Sequence, residues 1–282
     1  MKFEKWQALG NDYAIVEAAA LPWELTAERV RAICRPHVGV GADGVLLLAP
    51  LEDPDVVAEL RIFNPDGSEA ALSGNGAREA AMYLRRSGWT EDDEFAIRTA
   101  AGDVRPRILD ERTCRMELGR ASLRSEDFPS GGDDGRGVAV GAGREFPFRH
   151  VAVGNPQCVI DAGEEVEAIS LEAVGRDIEN NDLFPNRTNV SFISVDGSTV
   201  RARIWERGVG ETLSSGTGAT GAAVAAFLEG SASPLTVRLD GGELEVAVSD
   251  ELDVTLTGWA ELVYAGELSS EFVARLDRAG AG

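Results

Sequence analysis

Apolar and polar residues alternate in short runs along most of the chain. Lys2–Ala8, Tyr13–Glu17, Leu60–Asn64, Glu94–Thr99, Val104–Leu109, Thr113–Leu118, Asn189–Val195, Val200–Trp205, Leu235–Leu239, Glu243–Val248 and Leu252–Thr257 carry the period of two that predicts strands. Helical signals are fewer. One starts after Thr26, a good N-cap, and runs to Arg35, where Pro36 stops it. A second follows Ser73 and ends near Gly88, with Ala77, Ala80, Ala81 and Leu84 on one face. A third follows Ser170, with Val174 and Ile178 on one face. A fourth follows Ser215 and ends near Gly230; from Ala219 to Leu228 it is apolar nearly all round, which predicts a buried helix.

The two halves of this pattern resemble each other. A shift of 142 positions lays Arg61-Ile62 on Arg203-Ile204, Glu69 on Glu211, Ser73-Gly74 on Ser215-Gly216, Gly76-Ala77 on Gly218-Ala219 and Ala80-Ala81 on Ala222-Ala223. A shift of 144 lays Gly10-Asn11 on Gly154-Asn155. An ordered set of this kind predicts a duplicated α/β half with approximate two-fold symmetry. The stretch Ser122–Arg144, rich in Gly, Asp and Ser with little apolar periodicity, reads as a flexible connection between the halves. Its Gly-Gly-Asp-Asp-Gly core lacks the spacing of an EF-hand calcium loop.

Composition narrows the classes of function. The 282 residues hold 27 basic and 48 acidic side chains, so 27 − 48 gives −21. A chain this acidic, with its arginines scattered among carboxylates, is not a nucleic-acid binder. Lys2 and Lys5 are the only lysines, a bias that fits a GC-rich genome better than a binding surface. The N-terminus lacks the apolar core of a signal peptide, and runs such as Val45–Ala49 are far short of the ~18 residues of a membrane span, so no membrane is expected as partner. Cys34, Cys114 and Cys158 form neither a disulfide framework nor a metal motif, which points to a reducing cytoplasm and to no metal.

Both halves repeat one local device: strand, glycine-containing turn, serine, then Gly-x-Gly-Ala opening a helix. It reads Ser73-Gly74-Asn75-Gly76-Ala77-Arg78 in the first half and Ser215-Gly216-Thr217-Gly218-Ala219-Thr220 in the second. Glycines admit a ligand to the backbone, and first-turn N–H groups at the positive end of a helix dipole bind anions such as a carboxylate. Serine is also a preferred N-cap, so either device alone reads more readily as structural, and only the symmetric pair, each beside an acidic strand end, brings a binding role level with it.

Seven motifs, in order and spacing, resemble the diaminopimelate epimerase family: Leu9-Gly10-Asn11-Asp12-Tyr13, His37-Val38-Gly39-Val40-Gly41-Ala42-Asp43-Gly44, Ile62-Phe63-Asn64-Pro65-Asp66-Gly67-Ser68-Glu69, Gly74-Asn75-Gly76-Ala77-Arg78, Gly154-Asn155-Pro156, Thr188-Asn189-Val190 and Glu206-Arg207-Gly208-Val209-Gly210-Glu211-Thr212. The resemblance covers nearly the whole chain. It implies an α+β fold of two similar halves, each a β-rich sheet or barrel around a central helix, with the active site in the cleft between them. The halves are expected at 1–119 plus 261–282 and at 120–260, with the strand Glu261–Leu268 returning to the first. It further implies a cofactor-independent enzyme that converts LL-2,6-diaminopimelate to the meso isomer, for lysine and peptidoglycan precursors. A small amino-acid substrate is the partner, and a homodimer is possible.

Inverting a carbon by proton transfer needs a base on one face, an acid on the other and a fixed carboxylate. The family uses two cysteines at helix N-termini, where the dipole favours the thiolate. Here Ser73 and Ser215 stand in those two catalytic positions, and Gln157 stands where the family usually has His. Gly44 replaces a frequent Gln. Neither serine has an evident base in its own loop, and of the two histidines, His37 and His150, His37 reads as structural. By match to the motifs, Asn11, Asn64, Asn155 and Asn189 supply amide contacts. Arg207 clamps the distal carboxylate, Glu206 pairs with the distal ammonium, and Gly74, Asn75, Gly216 and Thr217 offer the helix-opening backbone. Recognition is expected to persist while the acid–base chemistry is altered. The alternatives left open are an engineered or diverged binding form without activity, and a one-base isomerase or lyase that uses a carboxylate such as Glu206.

Overall fold

The structure, a computed structural model, describes residues 1–279. The alternating segments become strands and the four capped segments become helices. In chain order these are β1 (Lys2–Ala8), β2 (Asn11–Glu17), α1 (Ala27–Cys34), β3 (Gly44–Ala49), β4 (Ala58–Phe63), β5 (Glu69–Ala70), α2 (Gly74–Arg86), β6 (Ile97–Thr99), β7 (Gly102–Val104), β8 (Pro106–Ile108) and β9 (Thr113–Arg120). There follow β10 (Arg136–Gly141), β11 (Arg144–Val153), β12 (Asn155–Asp161), α3 (Leu171–Glu179), β13 (Asn189–Asp196), β14 (Thr199–Glu206), β15 (Gly210–Thr212), α4 (Gly216–Leu228), β16 (Leu235–Leu239), β17 (Gly242–Val248) and β18 (Asp253–Trp259). The chain ends in β19 (Glu261–Glu267) and α5 (Ser270–Ala279). Two compact units result: Met1–Met116 with the chain from Gly258 onward, and Glu117–Thr257.

The units share a topology. The first sheet runs β19-β1-β2-β3-β4-β6-β7, with β5 on β4; the second runs β10-β11-β12-β13-β14-β16-β17-β18-β9-β8, with β15 on β14. The parallel pairs fall at matching places, β2/β3 and β4/β6 in one unit, β12/β13 and β14/β16 in the other. Helices α2 and α4 have the same length, 13 residues, and begin at Gly74 and Gly216, the shift read from the sequence. The Arg61–Glu69 ion pair (2.8 Å) recurs as Arg203–Glu211 (2.6 Å). The duplication is therefore structural.

Each sheet wraps its central helix. Small residues let strands approach from several sides: Ala77, Ala80 and Ala81 of α2 and Ala219, Ala222 and Ala223 of α4 are wholly inaccessible. α1 has Thr26 as its N-cap, accepting from the Arg29 amide at 3.4 Å, and buries Val30, Ile33 and Cys34. Strand β19 pairs with β1, Lys2 opposite Glu267, so the C-terminal strand does return to the first unit.

Some elements differ from expectation. Val45–Ala49 forms β3, which shows no alternation because α1 lies against it on one side and α2 on the other. The stretch Ser122–Arg144 is no flexible connection. Ser122 bridges Ala152, Phe128 is 5% exposed in an aromatic core with Phe148 and Phe184, and β10 pairs with β11 along its length. Its Gly and Asp residues build tight turns, which a composition reading takes for looseness.

The second core centres on Phe192, which has no exposure and meets Phe146 edge-on at 5.8 Å. Phe192→Ala is expected to cost about 3–5 kcal/mol, read as a lowered denaturation midpoint with little change in m-value.

Candidate functional site

Each serine is the N-cap of its central helix. Ser73 has extended backbone and its Oγ accepts the Gly76 amide at 3.1 Å; Ser215 does the same for Gly218 at 3.2 Å. The two devices are alike to this point and differ in what else meets the hydroxyl.

In the first unit the Tyr13 hydroxyl donates to Ser73 Oγ at 3.2 Å. Tyr13 sits on β2, and a Cβ at Gly44 would lie 2.5 Å from its ring and 2.4 Å from the Phe63 carbonyl. The bare Gly44 is what leaves room for the ring that reaches Ser73. Asn11 donates to Asp43 at 3.1 Å and accepts from Asn75 at 3.3 Å. Asn75 also accepts a short hydrogen bond from the fully buried Arg78. Asn64 lies in the β4–β5 turn and donates to Ser68 Oγ at 2.9 Å.

In the second unit Ser215 donates to Glu206 at 3.0 Å, and Thr212 donates to the other Glu206 oxygen at 2.7 Å. Glu206 is half-buried at the end of β14, and desolvation pushes its carboxyl pKa up against these two hydrogen bonds. Ser215 thus has a carboxylate partner nine residues earlier in the chain, brought to it by the β14–β15 hairpin. The missing signal was the hairpin itself, since its three-residue strand β15 carries too little pattern to be read. Asn189 accepts from the Arg207 amide at 2.7 Å, and the Arg207 guanidinium donates to the Asn186 carbonyl at 2.9 Å. Asn155 accepts a short hydrogen bond from Gln157, which is buried beside Gly221 with its own carbonyl oxygen unpartnered.

The geometry therefore gathers Ser215, Glu206, Arg207, Asn189 and Thr217 at one end of α4. It gathers Ser73, Tyr13, Asn75 and Asn11 at one end of α2. Neither histidine joins them: His37 is exposed in the turn after α1, and His150 is buried against Ser125 at 2.9 Å. A cavity of 790 Å³ in the first unit is lined by Trp6, Met82, Arg85, Arg112 and Glu261, and by neither serine. Among the described residues no cluster of ligands suits a metal ion, and no helix is long and apolar enough to cross a membrane.

Comparison with known proteins decides the family. The sequence description "Diaminopimelate epimerase" matches residues 3–124 and 149–263. "Diaminopimelate epimerase 2" of Nostoc sp. (strain PCC 7120 / SAG 25.82 / UTEX 2576) is 39% identical over 280 residues, spanning 97% of this chain and 98% of that protein. The chain belongs to the diaminopimelate epimerase family. The "Diaminopimelate epimerase" of Pelotomaculum thermopropionicum is 38% identical over 279 residues, 95% of this chain and 98% of its own. Solved structures share the fold at lower identity. A hydroxyproline epimerase from Agrobacterium vitis, with trans-4-hydroxy-L-proline bound, has a TM-score of 0.66 at 18% identity, covering 94% of this chain and 91% of that one. A Bacillus anthracis phenazine biosynthesis protein has 0.65 at 18%, covering 95% and 99%. Diaminopimelate epimerase kinship thus rests on the sequence matches, while the structural neighbours show the fold alone.

The cysteines of this family member are not disguised catalytic thiols. Cys34, Cys114 and Cys158 are buried, and burial pushes their thiols up, Cys34 to about 12 and Cys114 to about 11. Iodoacetamide should leave all three unmodified in the native protein at pH 8 and label all three in denaturant, which mass spectrometry reads directly.

Proposed function

We propose that this chain is a cofactor-independent amino-acid epimerase of the diaminopimelate type, converting LL-2,6-diaminopimelate to the meso isomer with serines at both acid–base positions. The observation that carries the reading is the Ser215–Glu206 hydrogen bond at 3.0 Å on a helix N-terminus.

A serine hydroxyl is a poor base unless a neighbour takes its proton. Glu206 is that neighbour. As the substrate Cα–H bond breaks, its proton goes to Ser215 Oγ while the proton of Ser215 passes to the Glu206 carboxylate. The electron pair left on Cα delocalises into the substrate carboxylate, for which the helix-opening backbone at Gly216-Thr217 and Gly74-Asn75 is suited. Inversion needs a second group that returns a proton to Cα. Ser73 fits this role, because its oxygen already accepts from the Tyr13 hydroxyl and the Gly76 amide, leaving its own O–H to donate. Replacement of its proton by the Tyr13 hydroxyl completes the transfer. Arg207, with Asn64, Asn155 and Asn189, is the set proposed to hold the distal amino-acid end.

The proton count sets a pH dependence. Glu206 works as acceptor only when ionised, and its pKa lies above the ordinary glutamate value of 4.5. Exchange of the substrate α-proton with D₂O, followed by NMR, should therefore fall on the acid side at a pH above that value. Glu206→Gln should lower the rate by ~10²–10⁴-fold and remove the acid limb. A protein that binds diaminopimelate yet exchanges no proton at any pH is a binding form, and this reading then fails. Arg207→Ala should weaken binding of diaminopimelate by at least about tenfold, since a carboxylate loses its bidentate partner.

Changing both serines to cysteine tests their placement. Ser73→Cys with Ser215→Cys should raise the exchange rate by at least ~10²-fold, because thiolates at helix N-termini are competent bases. Either single change should recover much less, because the two groups act as a unit.

A further inference from the structure

The β14–β15 turn and the β4–β5 turn occupy matching places in the two units, each flanked by its Arg–Glu pair. They are held in different ways. Both close with a backbone hydrogen bond, Gly67 to the Asn64 carbonyl at 2.9 Å and Val209 to the Glu206 carbonyl at 3.0 Å, but the outside contact on the β4–β5 turn is a single exposed one, from the Arg31 guanidinium to the Asp66 carbonyl at 2.9 Å. The β14–β15 turn is gripped from outside, by Glu179 in the last position of α3.

Glu179 is 4% exposed and belongs to neither serine device. Its carboxylate accepts from the Trp205 indole at 2.7 Å, from the Gly208 amide at 2.8 Å and from the Arg187 guanidinium at 2.9 Å. A negative charge at a helix C-terminus runs against the helix dipole, and burial adds to that cost. Three donors offset it, and each comes from a segment that must stay in place: the end of β14, the turn, and the approach to β13. Trp205 and Gly208 flank Glu206 and Arg207 in the chain. Holding both flanks fixes where the two side chains between them start, while the Glu206 carboxylate is left to Ser215 and Thr212.

We propose that Glu179 is the positioning residue of the Glu206–Arg207 pair, holding the β14–β15 turn in the geometry that binds and reacts with a diamino dicarboxylic acid; the proposal rests on the epimerase reading above. It does not touch substrate and acts through the turn.

Glu179→Gln keeps the size of the side chain and replaces one acceptor oxygen with an NH₂ group, so at least one of the three donors meets a donor. Two measurements on the full-length protein test it: hydrogen–deuterium exchange of the peptide spanning 205–210, and calorimetric titration with meso-2,6-diaminopimelate. In the variant, exchange in 206–209 should accelerate by about tenfold with β13 unchanged, and Kd should rise by about tenfold, the loss expected for a hydrogen bond to a charged group. A merely structural Glu179 would lower Tm and leave the Kd of the folded protein where it was. If Glu179→Gln does not fold, Arg187→Ala removes one of the three donors at a half-exposed site and should shift both readouts the same way by about threefold. Unchanged exchange in 206–209, or a loosened turn with unchanged Kd, overturns the assignment of Glu179. A parent protein that binds no diaminopimelate in the same titration overturns the epimerase reading instead, whatever the exchange data show.

Discussion

A helix walled in by strands must find partners for its first N–H groups close at hand, and that constraint organises both units. In α2 and α4 the solution is a serine whose oxygen takes the third amide onward, Gly76 in one case and Gly218 in the other. The cap is small, and the first turn behind it is built of glycine and alanine with one polar residue, Asn75 or Thr217. A Cβ at Gly218 would come within 2.6 Å of Ile204. The same tight start that permits burial leaves a hydroxyl and a short run of backbone at the positive end of the helix dipole. The candidate chemistry therefore sits where the fold has least room to vary.

The duplicated frame is kept and its contents diverge. Arg61–Glu69 and Arg203–Glu211 preserve the frame, each tying a core strand to the short strand before the helix. The position that holds Asn64 in one unit holds Glu206 in the other, and the position that holds Tyr13 holds Gln157. Ser73 therefore receives a hydrogen bond from a phenol, whereas Ser215 gives one to a carboxylate. Two equal hydroxyls become unequal through their neighbours, as the proposed inversion requires of its two faces. A further buried acid, Glu79 on α2, has Gly221 as its counterpart and lies wholly inaccessible, with desolvation holding its pKa well above the ordinary value.

Most of this was legible in the chain. Thr26, Ser73, Ser170 and Ser215 each precede a helix, because a cap is a local signal. The repeat was legible because turn chemistry and helix starts tolerate little change. Strands β3 and β12 were not, since burial on both faces removes alternation, and α5 was not, since it packs through few apolar side chains with Leu276 at its centre. Within the site, residue types and order were legible but their partners were not. Tyr13 reaches Ser73 across 60 positions and Gln7 reaches Glu261 across 254, distances at which a single sequence carries no pairing signal. Glu179 carries no signal for the same reason: nothing local distinguishes a glutamate that ends a helix on the surface from one that grips a turn.

The serines also set cap strength against chemistry. Oxygen accepts an amide hydrogen bond well, and sulfur accepts it weakly. A serine at position 73 or 215 is thus the better cap of a buried helix, while cysteine is the better acid–base group. In the proposed reaction the burden of acidity moves outward from serine to Glu206 and Tyr13, which meet the two hydroxyls at 3.0 and 3.2 Å. Those partners must then be held as firmly as the serines. For Glu206 that firmness comes from Glu179, which holds Trp205 before it and Gly208 after it, and from Asn189, which holds the Arg207 amide. For Tyr13 it comes from the bare Gly44, which no side chain could replace without displacing the ring. On the proposed reading, a hydroxyl-based site in this fold depends on residues one contact further out than a thiol-based site would.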